Sequence, residues 1–183
     1  MLNQGPLTAR DVREASDSPR VWIRRLPHGM GLELPTYQTP GAAGADLIAA
    51  IPPGRGIGIE NGERVTIPCG FEIVIPDGYA GLLCPRSGLA IRHGITLGNA
   101  PGVLDPDYRG EVMCLLINQG GQRFTVYRGS RVAQLLIVPV QQAIFVETEE
   151  VLPATERGAN GFGSTGGFEA HESRDAGRSG SGF

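Results

Sequence analysis

From Val21 onward, short apolar runs alternate with turn residues. Val65 to Pro68, Phe71 to Ile75, Tyr79 to Cys84, Val112 to Asn118, Phe124 to Tyr127, Val132 to Val140 and Ala143 to Glu147 each have the length and composition of a strand. Pro76-Asp77-Gly78, Gln119-Gly120-Gly121 and Arg128-Gly129-Ser130 separate them with residues suited to hairpin or corner turns. Helical spacing is confined to Gly88 to His93, with Ser87 as the predicted N-cap. Many short strands and one short helix predict an all-β chain, a jelly-roll-like sandwich or barrel. The pattern divides the chain into a polar extension over 1–20, a β domain over 21–150 and a Gly-rich tail over 151–183. From Arg157 the tail has little with which to build a core, so a ligand or partner would have to order it.

Composition narrows the chemistry. A chain of 183 residues suits one domain with tails. A net charge of −3 argues against stable binding to nucleic acid, which calls for a broad basic surface. All 16 basic residues are Arg, so lysine nucleophiles and lysine-based phosphate loops are excluded. Arg suits bidentate phosphate contacts, although gene base composition accounts for the bias equally well. Cys69, Cys84 and Cys114 are too few and scattered for a zinc knuckle or disulfide framework, and read as reduced, buried thiols of a cytoplasmic protein. Neither a membrane-spanning run nor a signal peptide's apolar stretch is present, so no membrane partner is expected.

Asn99 to Glu111 concentrates chemical groups. Asp105 follows the apolar pair Val103-Leu104, where a partly desolvated carboxylate would serve as a general base toward water. Tyr108 offers a ring, Asn99 a donor and an acceptor, and Gly102 close approach of the backbone. Taken alone, the stretch fits an ordinary inter-strand loop equally well, with Tyr108 as a core aromatic. Four further clusters join it. Asp46 ends the Gly/Ala turn of Ala43-Gly44-Ala45-Asp46-Leu47, as a turn cap, an Arg partner or a holder of metal-bound water. Arg86, Ser87 and Gly88 bring a guanidinium, a hydroxyl and helix-opening amides together, a donor set for an anion. Arg131 and Gln134 stand three apart, which on an ideal strand sends them to opposite faces. Arg157, Phe162, Gly163, Ser164 and Thr165 combine a cation, a ring, hydroxyls and accessible amides, a strip able to cover phosphates and stack on a base.

Ala43 to Leu47, Pro85 to Ala90, Gly102 to Glu111, Arg131 to Gln134 and Arg157 to Gly166 resemble, in order and spacing, the five motifs of the homotrimeric dUTP diphosphatases. The resemblance implies a jelly-roll subunit, a homotrimer with sites shared between subunits, and hydrolysis of dUTP to dUMP and diphosphate. That reaction limits uracil in DNA and supplies dUMP. By the same resemblance Asp105 activates the attacking water, while Asn99 and the backbone of Gly102, Val103 and Leu104 read uracil. Tyr108 excludes a 2′-hydroxyl, and Arg86, Ser87, Gly88 and Gln134 hold the triphosphate. Arg157 reaches the γ-phosphate, Phe162 stacks on the base, and Gly163, Ser164 and Thr165 close over the phosphates. Asp46 and Arg131 brace the site. Mg2+ is the implied cofactor, held by phosphates and water, with Asp46 a candidate for its water shell. Asn160 stands where the family usually has Gly, and sixteen residues follow Gly167 outside the family pattern. Three rival readings are a dCTP deaminase of the same fold, a non-catalytic module that senses dUTP, and a purely structural trimeric β protein, which would leave the ring, the Arg and the Gly-rich tail without a purpose.

Overall fold

The computed structural model describes residues 18–160. In chain order, the strands are β1 (Trp22–Arg25), β2 (Ala45–Ile48), β3 (Ile57–Ile59), β4 (Arg64–Val74) and β5 (Tyr79–Cys84), followed by helix α1 (Ser87–His93). Beyond it come β6 (Ile95–Leu97), β7 (Gly102–Leu104), β8 (Glu111–Asn118), β9 (Phe124–Val126) and β10 (Arg131–Pro139). Two four-stranded antiparallel sheets, in the orders β1-β4-β8-β6 and β2-β10-β5-β7, are joined by a small β3-β9 pair. The all-β reading with one short helix is therefore correct.

Alternation along the strands builds the core. In β8, Val112, Cys114, Leu116 and Asn118 point inward while their neighbours are less buried, the pattern of a sheet with one covered face. Val112, Cys114 and Leu116 meet Ile67, Phe71 and Ile73 of β4 and Leu83, Val132 and Leu135 of the other sheet in one apolar cluster. Asn118 is the fully buried polar exception. Its amide donates to the carbonyls of Ile59 and Gln122 at 2.8 Å and accepts from Gly120 N–H at 2.9 Å, so its polar atoms are satisfied.

Gly70 does not divide two strands, as the sequence pattern implies. Val65 to Pro68 and Phe71 to Val74 belong to the single strand β4, in which Cys69 to Phe71 stand opposite Val112 alone. Gly70 has φ +76°, and this irregularity bends the strand without ending it. A Cβ on Gly70 would lie 2.5 Å from the Cα of Gly29, so the 26–30 loop packs directly on the bulge.

Ser87 is not the cap of α1. Arg86, with φ −93° and ψ 123°, takes the N-cap position and Ser87 is the first helical residue, while Gly94 closes the helix in the left-handed conformation. Residues 143–147 form no strand. A period-2 pattern specifies a strand only where a neighbour is available to accept its backbone hydrogen bonds. Residues 18–142 and 143–160 belong to separate compact units. Among the described residues no helix is long and apolar enough to cross a membrane.

Cys69 and Cys114 are buried and free, with their sulfurs 3.6 Å apart, and Cys84 is partly buried. The hydrogen bond to Cys114, followed by burial and the neighbouring Cys114 and Glu111, pushes the Cys69 thiol well above its ordinary pKa.

Candidate active site

Two of the expected arginines meet at one buried carboxylate, with Gln134 beside them. Asp46 of β2 is 7% exposed, and its Oδ1 lies 3.0 Å from Nε of Arg86. Its Oδ2 takes Nε of Arg131 at 3.6 Å. Arg86 also donates to the carbonyl of Arg131 at 3.2 Å. With guanidinium groups against both oxygens, Asp46 stands here as an arginine partner.

The opposed faces expected for Arg131 and Gln134 are corrected by a second irregularity. β10 pairs Arg131 with Ile48 but Ala133 with Leu47, so Val132 is an extra residue in the ladder. Val132 and Ala133 are consecutively buried, and the shift brings the Arg131 guanidinium round to the Asp46 side. Gln134 pairs with Asp46 on one side and Cys84 on the other, placing the three in one row across the sheet. Its amide donates to the Pro85 carbonyl at 3.0 Å, immediately before Arg86. Gly44 makes room for this side chain, since a Cβ there would lie 2.5 Å from its Oε1.

A second cluster forms around β7. Asn99, Gly102, Val103, Leu104, Asp105 and Tyr108, with Leu83 and Met113, line a hollow of about 220 Å³. A Cβ on Gly102 would lie 3.1 Å from the amide nitrogen of Asn99. Tyr108 is 39% exposed and its hydroxyl donates to the Glu111 carbonyl at 2.8 Å, so it is not the core aromatic of the alternative reading. Asp105 is exposed rather than desolvated. Leu104 alternates inward and leaves the following residue at the rim of the sheet. Leu83 and Met113 were not legible as site residues, because their only sequence signal is the apolar alternation shared with every core position.

Asp105 and Arg86 lie toward opposite ends of the β5-β7 ladder. Gly102 faces Leu83 and Leu104 faces Gly81, so Asp105 projects past the Gly81 end whereas Arg86 follows the Cys84 end. At the rise of an antiparallel strand, the two residues are separated by roughly 15–20 Å along β5. Ser87 is exposed and Gly88 half-buried at the start of α1, beside Arg86. Arg157 is exposed, with Nε donating to the Asn160 carbonyl at 3.0 Å. Phe162, Gly163, Ser164 and Thr165 lie outside the described residues.

The dUTPase family matches residues 31–166, which span all five clusters. The chain belongs to the dUTPase family. Among its relatives is the deoxyuridine 5'-triphosphate nucleotidohydrolase of Methylocella silvestris, 54% identical over 159 residues, or 87% of this chain and 99% of that one. The Rhizobium meliloti protein of the same name is 52% identical over 149 residues, covering 81% of this chain and 92% of its own. In three dimensions this dUTPase-family chain resembles the dUTPase of Staphylococcus bacteriophage 80alpha with dUpNHpp, at a TM-score of 0.71 and 24% identity over 81% of this chain and 99% of that one. A mutant dUTPase of phage phi11 of S. aureus, described for its coordination of a structural Mg(II) ion, matches at a TM-score of 0.62 and 22% identity, covering 72% and 97%.

Proposed function

We propose that this chain hydrolyses dUTP to dUMP and diphosphate, the reaction named by its relatives. The observation that carries the reading is the pair of clusters within the family match, an arginine-rich anion site around Asp46 and a small hollow beside Asp105. Asp105 orients and deprotonates the water that attacks the α-phosphorus, its exposed carboxylate standing at the rim of the hollow. Asn99 and the backbone of Gly102, Val103 and Leu104 read the uracil edge. Tyr108 packs beneath the deoxyribose and leaves no room for a 2′-hydroxyl. Arg86, Ser87, Gly88 and Gln134 take the triphosphate, with Asp46 and Arg131 fixing the Arg86 guanidinium. Arg157, Phe162, Gly163, Ser164 and Thr165 come from the tail to cover the γ-phosphate and base.

Mg2+ fits this donor set. Mg2+ would be held mainly by phosphate oxygens and water. When bound, it neutralises phosphate charge as water approaches phosphorus.

We further propose a homotrimer with shared sites. A single chain sets Asp105 and Arg86 toward opposite ends of β5, farther apart than the phosphates of one triphosphate on which both would act, and its hollow is smaller than the ~300 Å³ at which ligand pockets usually begin. Pairing the Asp105 end of one copy with the Arg86 end of another removes both difficulties. Ile144, Phe145 and Val146 are each at least 80% exposed, apolar surface suited to a neighbouring copy. Residues 1–20 are proposed as an extension and 151–183 as the tail bearing the last motif.

Incubation with each deoxynucleoside triphosphate and Mg2+ tests the activity. Diphosphate release from dUTP alone is expected. Ammonia release from dCTP would instead identify a deaminase, and tight dUTP binding without turnover would identify a sensing module.

A further inference from the structure

We infer that Glu111, the first residue of β8, is a positioning residue for sugar discrimination, acting through Tyr108. The inference rests on the reading of Tyr108 as the group that excludes a 2′-hydroxyl. The main-chain carbonyl of Glu111 accepts the Tyr108 hydroxyl at 2.8 Å. The ring lies against Gly110, where a Cβ would stand 2.5 Å from the phenol oxygen. Backbone below and a carbonyl at its tip therefore set the tilt of this half-exposed ring.

That carbonyl is itself held in place by the side chain of the same residue. Glu111 Oε1 accepts Gly70 N–H at 2.8 Å and lies 2.7 Å from Nε2 of His28. Gly70 sits in the β4 bulge, where the ladder between β4 and β8 is interrupted and Val112 has no regular partner. The carboxylate thus supplies a cross-strand bond where the regular pairing is broken. Its second contact is also braced. Arg128 donates to the carbonyls of His28 and Met30 at 2.7 and 2.8 Å and to Ile51 at 3.0 Å, while Arg25 donates to Gly29 and Leu32 at 3.0 and 2.6 Å. Two guanidinium groups therefore pin the loop that presents His28.

Without this anchor, the start of β8 is tied to β4 only through the Glu72–Glu111 pairing beyond the bulge, and the tyrosine hydroxyl shifts with it by tenths of an ångström. Exclusion of one hydroxyl depends on displacements of that size. A residue that merely supports folding changes the amount of active protein, which lowers dUTP and UTP turnover equally. A positioning residue changes their ratio.

The experiment measures kcat/KM for dUTP over kcat/KM for UTP in a double-mutant cycle. Glu111→Ala is expected to lower the ratio about fivefold, the order of one hydrogen bond. Glu111→Gln, which retains an oxygen for Gly70 N–H, is expected to keep it within about twofold. Tyr108→Phe removes the same link from the other side and should lower the ratio comparably. In the Tyr108→Phe background, Glu111→Ala should then add less than twofold. An unchanged ratio in Glu111→Ala, or the same fall with and without the tyrosine hydroxyl, overturns the inference while leaving the role of Tyr108 standing. An unchanged ratio in Tyr108→Ala overturns that role and the inference with it. If Glu111→Ala yields no soluble protein, Glu111→Asp, one methylene too short for Gly70, must show the fall in its place.

Discussion

At the residue scale, the proposed base and its electrostatic neighbours are separable by substitution. Asp105→Asn keeps the size of the side chain and removes the proton acceptor, so turnover should fall about a hundredfold or more while KM for dUTP changes little. Steady-state kinetics check it, and near-normal kcat would assign water activation elsewhere. Asp46→Ala works differently. Arg86 and Arg131 keep their charge but lose the carboxylate that orients them, so KM should rise about tenfold with a smaller change in kcat. The raised Cys69 pKa carries a pH consequence. The protonated thiol is favoured by the fold, so its contribution to stability is complete below the ordinary thiol pKa of about 8.5 and is lost as pH rises through the higher folded value. Urea unfolding under reducing conditions should show a steeper alkaline loss of stability in the wild type than in Cys69→Ala. Asp46 was legible as an acidic turn residue, but its two arginine partners are distant in sequence and became evident only in the fold.

At the element scale, two ladder irregularities position the site. The extra Val132 in β10 brings Arg131 to Asp46, and the bulge at Gly70 receives Glu111. Gly70→Ala forces a Cβ into positive φ and against Gly29 and Ala50, so it should cost roughly 2–4 kcal/mol. A thermal melt tests this, and an unchanged midpoint would show that the 26–30 loop yields without cost. Neither irregularity was legible beforehand. A bulge is a mismatch between two strands, and one strand's sequence does not record what its partner does. Long alternating runs were read well, as at β5; of the three-residue strands, β9 was marked by its flanking turns at 119–121 and 128–130, whereas β3, β6 and β7 are too short to show a period of their own.

At the scale of the whole molecule, the tail and the proposed trimer are testable together. A chain ending before Arg157 should fold and assemble yet hydrolyse dUTP poorly, since it lacks Phe162 and the amides that follow. Mixed trimers of this truncated chain with full-length Asp105→Asn combine an intact Asp105 from one copy with an intact tail from another. Activity above both parents is expected. Mixed trimers verified by mass that show no recovery would assign the tail to its own subunit.

Some properties follow from the linear chain because they depend on local order. Alternation with period 2 marks the longer strands, Gly94 stops the helix, and the spacing of five short motifs identifies the family and the groups able to meet a nucleotide. The tertiary structure decides which of those groups meet. It gathers Asp46, Arg86, Arg131 and Gln134 from two strands and a helix cap, and sets Asp105 well apart from Arg86 within one chain. Cross-strand register makes that selection, and register is a relation between segments that neither contains alone.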